Sequence, residues 1–299
     1  MTAYYLGVDL GSTTAKSVVV DETGDIVASQ VVQMGAVSRA GLAKSMAGAL
    51  ETVGIGEDDL AGTVATGYGR RLVSGVGRTF TEITCHARGV AAMVPGARLV
   101  IDIGGQDSKA ILIEPDGIVE NFAMNDRCAS GTGRFFEVLA RAVECDIGEL
   151  AGLALSGDRD LEVSSMCATF AETEIISLLA RGERREDIAA SVHRAVAART
   201  LGLVAQVGKH GPVVMTGGVA RNAAAVKFLE QTLGLPVTIP ATPQITGAYG
   251  AALLARDTGD RPVAEEPEER RAESPPDCTS CTAYAPAPGA RRLIPLEPR

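Results

Sequence analysis

The chain has 299 residues, of which 46% are hydrophobic and 34 are glycine, and its formal net charge is −9. This length is enough for two domains with buried cores, and the composition is typical of α/β proteins with many tight turns. The acidic charge and the aromatic content of 4%, with no tryptophan, argue against a nucleic-acid-binding protein, which needs a basic face or stacking side chains.

The first part of the chain alternates predicted strands and helices. A strand at 4–10 is followed by a turn at 11–16, and apolar side chains at helical spacing predict a helix over 38–53. The other elements predicted here are strands 17–21, 26–33 and 61–66 and a helix that runs from EITCHARG toward Met93.

A second series of elements begins at Leu99 with another strand–turn–strand unit. It continues with predicted helices 131–144, 168–181 and 186–207, strand 212–216, helix 222–233, strand 236–239 and helix 246–256. Beyond this point the composition changes, since eight of the fourteen prolines fall in 262–299. Such a tail buries too little apolar surface to become ordered. We therefore predict an α/β protein with lobes at 1–97 and 98–256 and a disordered tail at 257–299.

Residues 8–26, VDLGSTTAKSVVVDETGDI, and residues 101–119, IDIGGQDSKAILIEPDGIV, are two copies of one pattern. At a constant offset of 93 residues, the matched pairs are Asp9 with Asp102, Gly11 with Gly104, Lys16 with Lys109 and Gly24 with Gly117. A duplicated strand, glycine turn and strand, each with an acidic residue, indicates two loops that face one phosphate chain.

The residue types in these loops suit a nucleotide. Glycine lets backbone amides approach phosphate oxygens, hydroxyl groups and Lys16 add donors and charge, and Gln106 can orient a water molecule. Asp9 and Asp102 suit Mg²⁺ bound through water, because this ion keeps most of its waters. A third segment, VVMTGGVARN, predicts a glycine platform and a helix N-terminus for the nucleoside. The candidate catalytic residues are Asp9, Asp102, Gln106 and Asp107, and the candidate nucleotide-binding residues are Gly11, Ser12, Thr13, Thr14, Lys16, Gly104, Gly105, Gly217, Gly218, Arg221, Asn222 and Gln244.

Together with the segment TGAYGAALLA at 246–255, these motifs resemble the actin, sugar kinase and heat-shock ATPase superfamily over residues 4–255. The resemblance implies a duplicated fold of two lobes around a nucleotide cleft, with ATP as the ligand.

Two of the six cysteines, Cys128 and Cys167, stand directly before predicted helices. Helix N-termini stabilise anions, and a thiolate-ligated iron–sulfur cluster is anionic. Two thiolates are half of the usual four, and a two-fold dimer would complete the set. Two buried, inert cysteines are the alternative interpretation. Cys278 and Cys281 have ligand spacing in the tail, but a single CxxC favours a passive or redox-labile pair.

Five segments resemble the activators of 2-hydroxyacyl-CoA dehydratases: NDRCASGTGRFFE, SSMCATFAETEIISLLARG, VATGYGRRL, TEITCHARG and MTGGVARN. This resemblance implies a homodimer that shares one [4Fe-4S] cluster, with Cys128 and Cys167 as the ligands from each chain. It further implies that ATP hydrolysis drives one electron at low potential to a dehydratase, with a ferredoxin or flavodoxin as the electron source.

Three alternatives remain open at this point. The same family includes ATPase subunits of benzoyl-CoA reductase, and the same fold includes small-molecule kinases, in which Asp102 or Asp107 would be the base. A nucleotide-sensing scaffold without turnover is the third. The chain has no run of about 18 apolar residues and begins with no signal peptide, so we expect a cytoplasmic protein without a membrane contact.

Overall fold

The strands form two sheets with the same internal order. The computed structural model describes residues 2–35, 37–74, 76–126, 129–163 and 168–259. Within these ranges, the first sheet contains, in spatial order, β3 (Ile26–Gln33), β2 (Thr14–Val20), β1 (Tyr4–Leu10), β4 (Leu60–Thr66) and β5 (Arg78–Thr79). The pairs β1–β2 and β2–β3 are antiparallel, whereas β1, β4 and β5 run parallel.

The second sheet repeats this arrangement. Its described strands are, in spatial order, β8 (Val119–Asn125), β7 (Ser108–Ile113), β6 (Leu99–Ile103), β9 (Val213–Thr216) and β10 (Val237–Thr238). Again the first three strands in sequence pair antiparallel and the last two join in parallel. The duplicated order confirms the predicted α/β fold. The repeated sequence motif spans the hairpins β1–β2 and β6–β7, and the central strands β1 and β6 are apolar because both faces of each sheet are covered.

The first hairpin differs from its prediction in one respect. The turn predicted over 11–16 is shorter, because β2 begins at Thr14 rather than at residue 17. Antiparallel pairing continues as far as Leu10 opposite Ala15. Lys16 is therefore a strand residue, and it lies directly opposite Asp9.

Helices cover both sheets. They are α1 (Arg39–Val53), α2 (Glu82–Met93), α3 (Gly133–Ala142), α4 (Leu150–Leu155), α5 (Ala168–Ala180), α6 (Arg185–Val207), α7 (Ala223–Leu233) and α8 (Thr246–Thr258). α1 packs on β2 and β3, and α8 packs on β1 and β4. α2 and α8 cross so closely that a Cβ atom at Gly250 would overlap the carbonyl group of Cys85. Glycine at this position is what allows the contact.

The helices α3 to α7 share one large apolar core with the second sheet. α4 was not predicted from the sequence, because six residues are too few to establish a helical period. None of the described helices has the length and the apolar composition needed to cross a membrane. The boundaries between the predicted lobes stay a prediction. The tail was predicted to be disordered over 257–299. Residues 260–299 of it lie outside the described ranges.

Candidate functional site

Each copy of the repeated motif places an aspartate opposite a lysine on the neighbouring strand. In the first copy, Lys16 Nζ lies 2.8 Å from Asp9 Oδ2. In the second copy, Lys109 Nζ lies 3.2 Å from Asp102 Oδ2. Both pairs occupy the same position in the ladder of their hairpin. The repeat in the sequence is therefore also a repeat in the structure, with a carboxylate, an ammonium group and a glycine turn at corresponding strand ends.

Both glycine turns line one cavity of about 570 Å³, a volume in the range of small-molecule sites. The cavity is also lined by most of the residues that the sequence predicted. They are Asp9, Gly11, Ser12, Thr13, Thr14, Lys16, Asp102, Gly104, Gly105, Asp107, Gly217, Gly218, Arg221, Asn222 and Gln244. Gln106 is exposed and is not among the lining residues. The structure thus gathers the predicted residues except Gln106, while the role of each stays a prediction.

Lys109 is the centre of the charged floor of the cavity. Its Nζ lies 2.8 Å from Asp107 Oδ2, in addition to the contact with Asp102. Burial alone would lower the pKa of Lys109, but the surrounding carboxylates raise it. Burial alone would also raise the pKa of Asp102, yet its neighbours, His86 in its protonated form and Lys109, hold it below the ordinary value. Both groups are therefore charged at neutral pH.

Glu82, the first residue of α2, is a third carboxylate at this lysine that sequence reasoning missed. Its Oε2 lies 3.5 Å from Lys109 Nζ, and its side chain is 18% exposed. Burial raises the pKa of Glu82 to about 7, and Lys109 offsets only part of this effect. Nothing in the local sequence signals this contact, because residues 82 and 109 meet only through the fold.

His86 also lines the cavity. Its Nδ1 lies 3.0 Å from Thr246 Oγ1 and 3.6 Å from Asp102 Oδ1. Burial lowers the pKa of His86, so the ring is neutral at pH 7. Lys109 is consequently the cation that stabilises the Asp102 carboxylate.

The other side of the cavity is suited to a nucleoside. Asn222 caps α7, since its Oδ1 accepts from the backbone N–H of Ala225, and its Nδ2 lies 3.0 Å from His193 Nε2. Arg221 donates to Gln244 Oε1 at 3.2 Å. The lining on this side also includes apolar side chains that the sequence did not single out. They are Phe136, Ile147, Ala151 and Val219.

The predicted ligands of a cluster, Cys128 and Cys167, lie outside the described residues, as does the pair Cys278 and Cys281. Of the described cysteines, Cys85 is fully buried, and burial raises the pKa of its thiol to about 12. Its thiol is therefore protonated at neutral pH and is a poor metal ligand. In the part of the chain that the structure describes, no three His, Cys, Asp or Glu side chains converge as a metal site.

Comparison with known proteins gives a consistent result. The chain is 45% identical to the activator of lactoyl-CoA dehydratase from Anaerotignum propionicum, over 86% of this chain and 99% of the relative. It is 35% identical to a subunit of benzoyl-CoA reductase from Thauera aromatica, over 73% of this chain and 82% of the relative. The crystal structure of (R)-2-hydroxyglutaryl-CoA dehydratase component A from Acidaminococcus fermentans matches with a TM-score of 0.83 and 42% identity, over 87% of this chain and 100% of that one. Residues 6–255 match a family of ATPases, and the chain belongs to this BadF/BadG/BcrA/BcrD ATPase family.

Proposed function

We propose that this protein is an ATP-hydrolysing activator that donates single electrons to a 2-hydroxyacyl-CoA dehydratase. The observation that carries the proposal is the cavity between two equivalent aspartate–lysine hairpins, in a chain 45% identical to a dehydratase activator. The duplicated hairpins supply a site for a polyphosphate. The sequence identity with a dehydratase activator supports the proposal that ATP hydrolysis serves to activate a dehydratase.

The residues around the cavity fit ATP and Mg²⁺. Lys16 and the hydroxyl groups of Ser12, Thr13 and Thr14 offer positive charge and donors to phosphate oxygens. Asp9 and Asp102 are buried carboxylates at the ends of central strands, and they would hold Mg²⁺ through its waters. Bound Mg²⁺ would neutralise the charge that develops on the phosphates.

Phosphoryl transfer needs positioning and charge stabilisation more than covalent help. Lys109 keeps Asp102 charged, and its contacts hold Asp102 and Asp107 in the floor of the site. Gly217 and Gly218, at the end of β9, give the nucleoside a surface without side chains. Phe136 and Val219 add apolar surface to the lining of the cavity.

For the electron we propose a [4Fe-4S] cluster shared by two subunits, with Cys128 and Cys167 as the ligands from each chain. Such a cluster accepts and passes on one electron at a time. The family resemblance supports this assignment, and the buried, protonated thiol of Cys85 is excluded as a substitute. The helices α3 and α5, which follow the two cysteines in sequence, pack against each other. A ferredoxin or flavodoxin is the proposed electron source, and the cytoplasm the proposed location.

A role as an ATPase subunit of benzoyl-CoA reductase is the second candidate, because one subunit of that enzyme is also a relative. The dehydratase activator is favoured, since that match has higher identity and covers 99% of the relative, against 82% for the reductase subunit. Co-purification separates the two, because the first predicts a dehydratase as partner and the second predicts the other reductase subunits.

Anaerobic purification with iron and sulfide counting tests the cluster. We expect four irons per dimer in the wild type and their loss in both Cys128→Ala and Cys167→Ala. Cys145→Ala is the matched control, because this half-buried cysteine is not a proposed ligand and its replacement should keep full iron. Iron retained in both ligand variants, or absent from every sample, would refute the assignment. ATP-dependent reduction of a purified dehydratase then tests the electron transfer itself.

A further inference from the structure

A histidine of α6, His193, lies in the apolar core beside the cavity but is not among the residues that line it. Its ring lies between the rings of Phe136 and Phe228, with centroid distances of 4.6 and 6.1 Å, and the residue is 1% exposed. Burial of a polar ring in apolar surroundings costs free energy unless its nitrogens are hydrogen-bonded. A leucine would fill this space without that cost, so packing alone does not explain a histidine at this position.

Both ring nitrogens of His193 have partners, and these partners define where the proton lies. Nδ1 lies 2.7 Å from the carbonyl oxygen of Ala189, which can only accept, so Nδ1 carries the proton. Burial lowers the pKa of His193 to about 4, so the ring is neutral at pH 7 and Nε2 keeps its lone pair. This lone pair accepts from Nδ2 of Asn222 at 3.0 Å. His193 therefore offers Asn222 an acceptor and no donor.

Asn222 is held in one orientation by two contacts of opposite kind. Its Nδ2 donates to His193, and its Oδ1 accepts from the backbone N–H of Ala225 at 3.0 Å. If the amide turned over, its oxygen would face the lone pair of Nε2 and its NH₂ group would face the N–H of Ala225. With both contacts made, the amide retains one N–H and one lone pair. Since Asn222 lines the cavity, these two groups are suited to bind a ligand there.

Asn222 also ends the turn that follows the glycine platform. This 3₁₀ turn, Gly218–Arg221, begins directly after Gly217, and the N–H of Asn222 donates to the carbonyl oxygen of Val219 at 2.9 Å. Val219 and Arg221 line the cavity on the side suited to a nucleoside. A fixed Asn222 therefore fixes both the end of this turn and the first turn of α7.

We propose that His193 is a positioning residue for the nucleoside: its Nε2 orients the amide of Asn222 so that the remaining N–H and lone pair bind polar groups of the nucleoside. Both nitrogens of His193 are used by Ala189 and Asn222, so the ring has no hydrogen bond left for the phosphate loops. The inference rests on the proposed function in that ATP is the ligand. It deepens that function by assigning one part of the affinity to the nucleoside alone, and it involves neither the cluster nor the electron.

Calorimetry on the full-length protein tests this assignment with two ligands, each with Mg²⁺. One is a non-hydrolysable ATP analogue, and the other is tripolyphosphate, which has the phosphates without the nucleoside. In His193→Leu the amide of Asn222 loses its acceptor. We expect the affinity for the analogue to fall roughly threefold to tenfold, the range that one hydrogen bond contributes, and the affinity for tripolyphosphate to stay unchanged. His193→Gln, whose amide oxygen can take the place of Nε2, should restore the affinity for the analogue.

Thr200→Val is the matched control. Thr200 is also buried in α6, but its hydroxyl donates within the helix, to the carbonyl oxygen of Val196 at 3.1 Å. This variant should keep the affinity for both ligands. Equal losses for the analogue and tripolyphosphate in His193→Leu would indicate general damage to the fold and would refute the proposal. An unchanged affinity for the analogue in His193→Leu would refute it as well.

Nitrogen NMR of the wild type, labelled at its histidine and asparagine side chains, gives a second test without any variant. We expect a proton on Nδ1 of His193 and none on Nε2. The analogue, but not tripolyphosphate, should shift the signals of His193 Nε2 and Asn222 Nδ2 together. The opposite tautomer, or signals that do not respond to the analogue, would overturn the inference. This measurement decides if His193→Leu does not fold or if tripolyphosphate binds too weakly for calorimetry.

The two proposals fail in different ways. A wild type that binds neither ligand would remove the proposed ATP site, and this inference with it. An ATP-binding, iron-bearing activator in which His193→Leu affects both ligands equally would remove the role of His193 alone.

Discussion

Replacing Glu82 with glutamine tests whether the cavity holds a carboxylate at the expense of stability. Burial raises the pKa of Glu82 to about 7 from an ordinary value of 4.5, although Lys109 stands 3.5 Å away. The folded state therefore favours the protonated acid. The stability that this preference gives is fully present below pH 4.5, and it is lost as the pH rises to about 7. Glutamine resembles the protonated form at every pH.

The size of the effect follows from the shift. Each pKa unit corresponds to about 1.4 kcal/mol, so the complete effect is about 3 kcal/mol of unfolding free energy. Between roughly pH 5.5 and 8.5 the same linkage predicts a loss of about 2 kcal/mol from Glu82. Because the side chain is only 18% exposed, solvent screening reduces this figure little.

The assay is urea unfolding of nucleotide-free, Mg²⁺-free protein at both pH values. The quantity of interest is the difference between Glu82→Gln and wild type, since groups common to both proteins cancel. This difference should shift in favour of the variant by about 2 kcal/mol as the pH rises. Glu51→Gln, at an exposed position of α1, is the matched control and should show no such shift. A difference for Glu82→Gln that is the same at both pH values would refute the reasoning.

Three further predictions concern other charged or buried groups. Lys16→Met should weaken ATP binding by roughly tenfold to a hundredfold in calorimetry, with little change in Tm. Lys109→Met should instead lower the free energy of unfolding in urea by about 3–5 kcal/mol, because it leaves buried carboxylates facing each other. Asn222→Ala should cost about 2 kcal/mol in urea unfolding, as it removes the cap of α7 and the partner of His193 Nε2. His193, whose pKa burial lowers to about 4, should stay neutral in NMR titration to below pH 5, and stability should fall as the pH drops from about 6.5 toward 4. A normal titration of His193, or equal effects of the two lysine variants on binding, would contradict these expectations.

The sequence predicted those parts of the molecule in which the role of each residue follows from its own short segment of the chain. The duplicated hairpins were predicted because aspartate, glycine and lysine recur at a fixed spacing, and both copies occupy equivalent strands. The glycine platform at Gly217 was predicted because it follows an apolar strand, and it lines the same cavity. Long helices such as α6, in which the helical spacing of apolar residues repeats over many turns, could also be predicted from the sequence.

The parts that were missed depend on contacts between distant segments. Glu82 looks like an ordinary acidic residue in the first turn of a helix, and only the fold brings it to Lys109. His193 has no motif around it, yet its ring is buried between Phe136 and Phe228. Gln106, which the sequence predicted to orient a water molecule, is exposed and is not among the residues that line the cavity, and its role stays a prediction.

The two copies of the repeat are equivalent in topology but not in electrostatics, and this asymmetry indicates a division of work. Lys16 contacts one carboxylate, and its side chain is 15% exposed, so it stays free to meet a phosphate. Lys109 contacts three carboxylates and is 2% exposed, so its charge is already compensated within the protein. At Lys16 a ligand phosphate competes with one carboxylate for the ammonium group, whereas at Lys109 it competes with three. The first hairpin is therefore the copy suited to bind phosphate charge. The second hairpin is suited to keep Asp102 ionised and to hold its carboxylates in position, and its glycine loop caps α3.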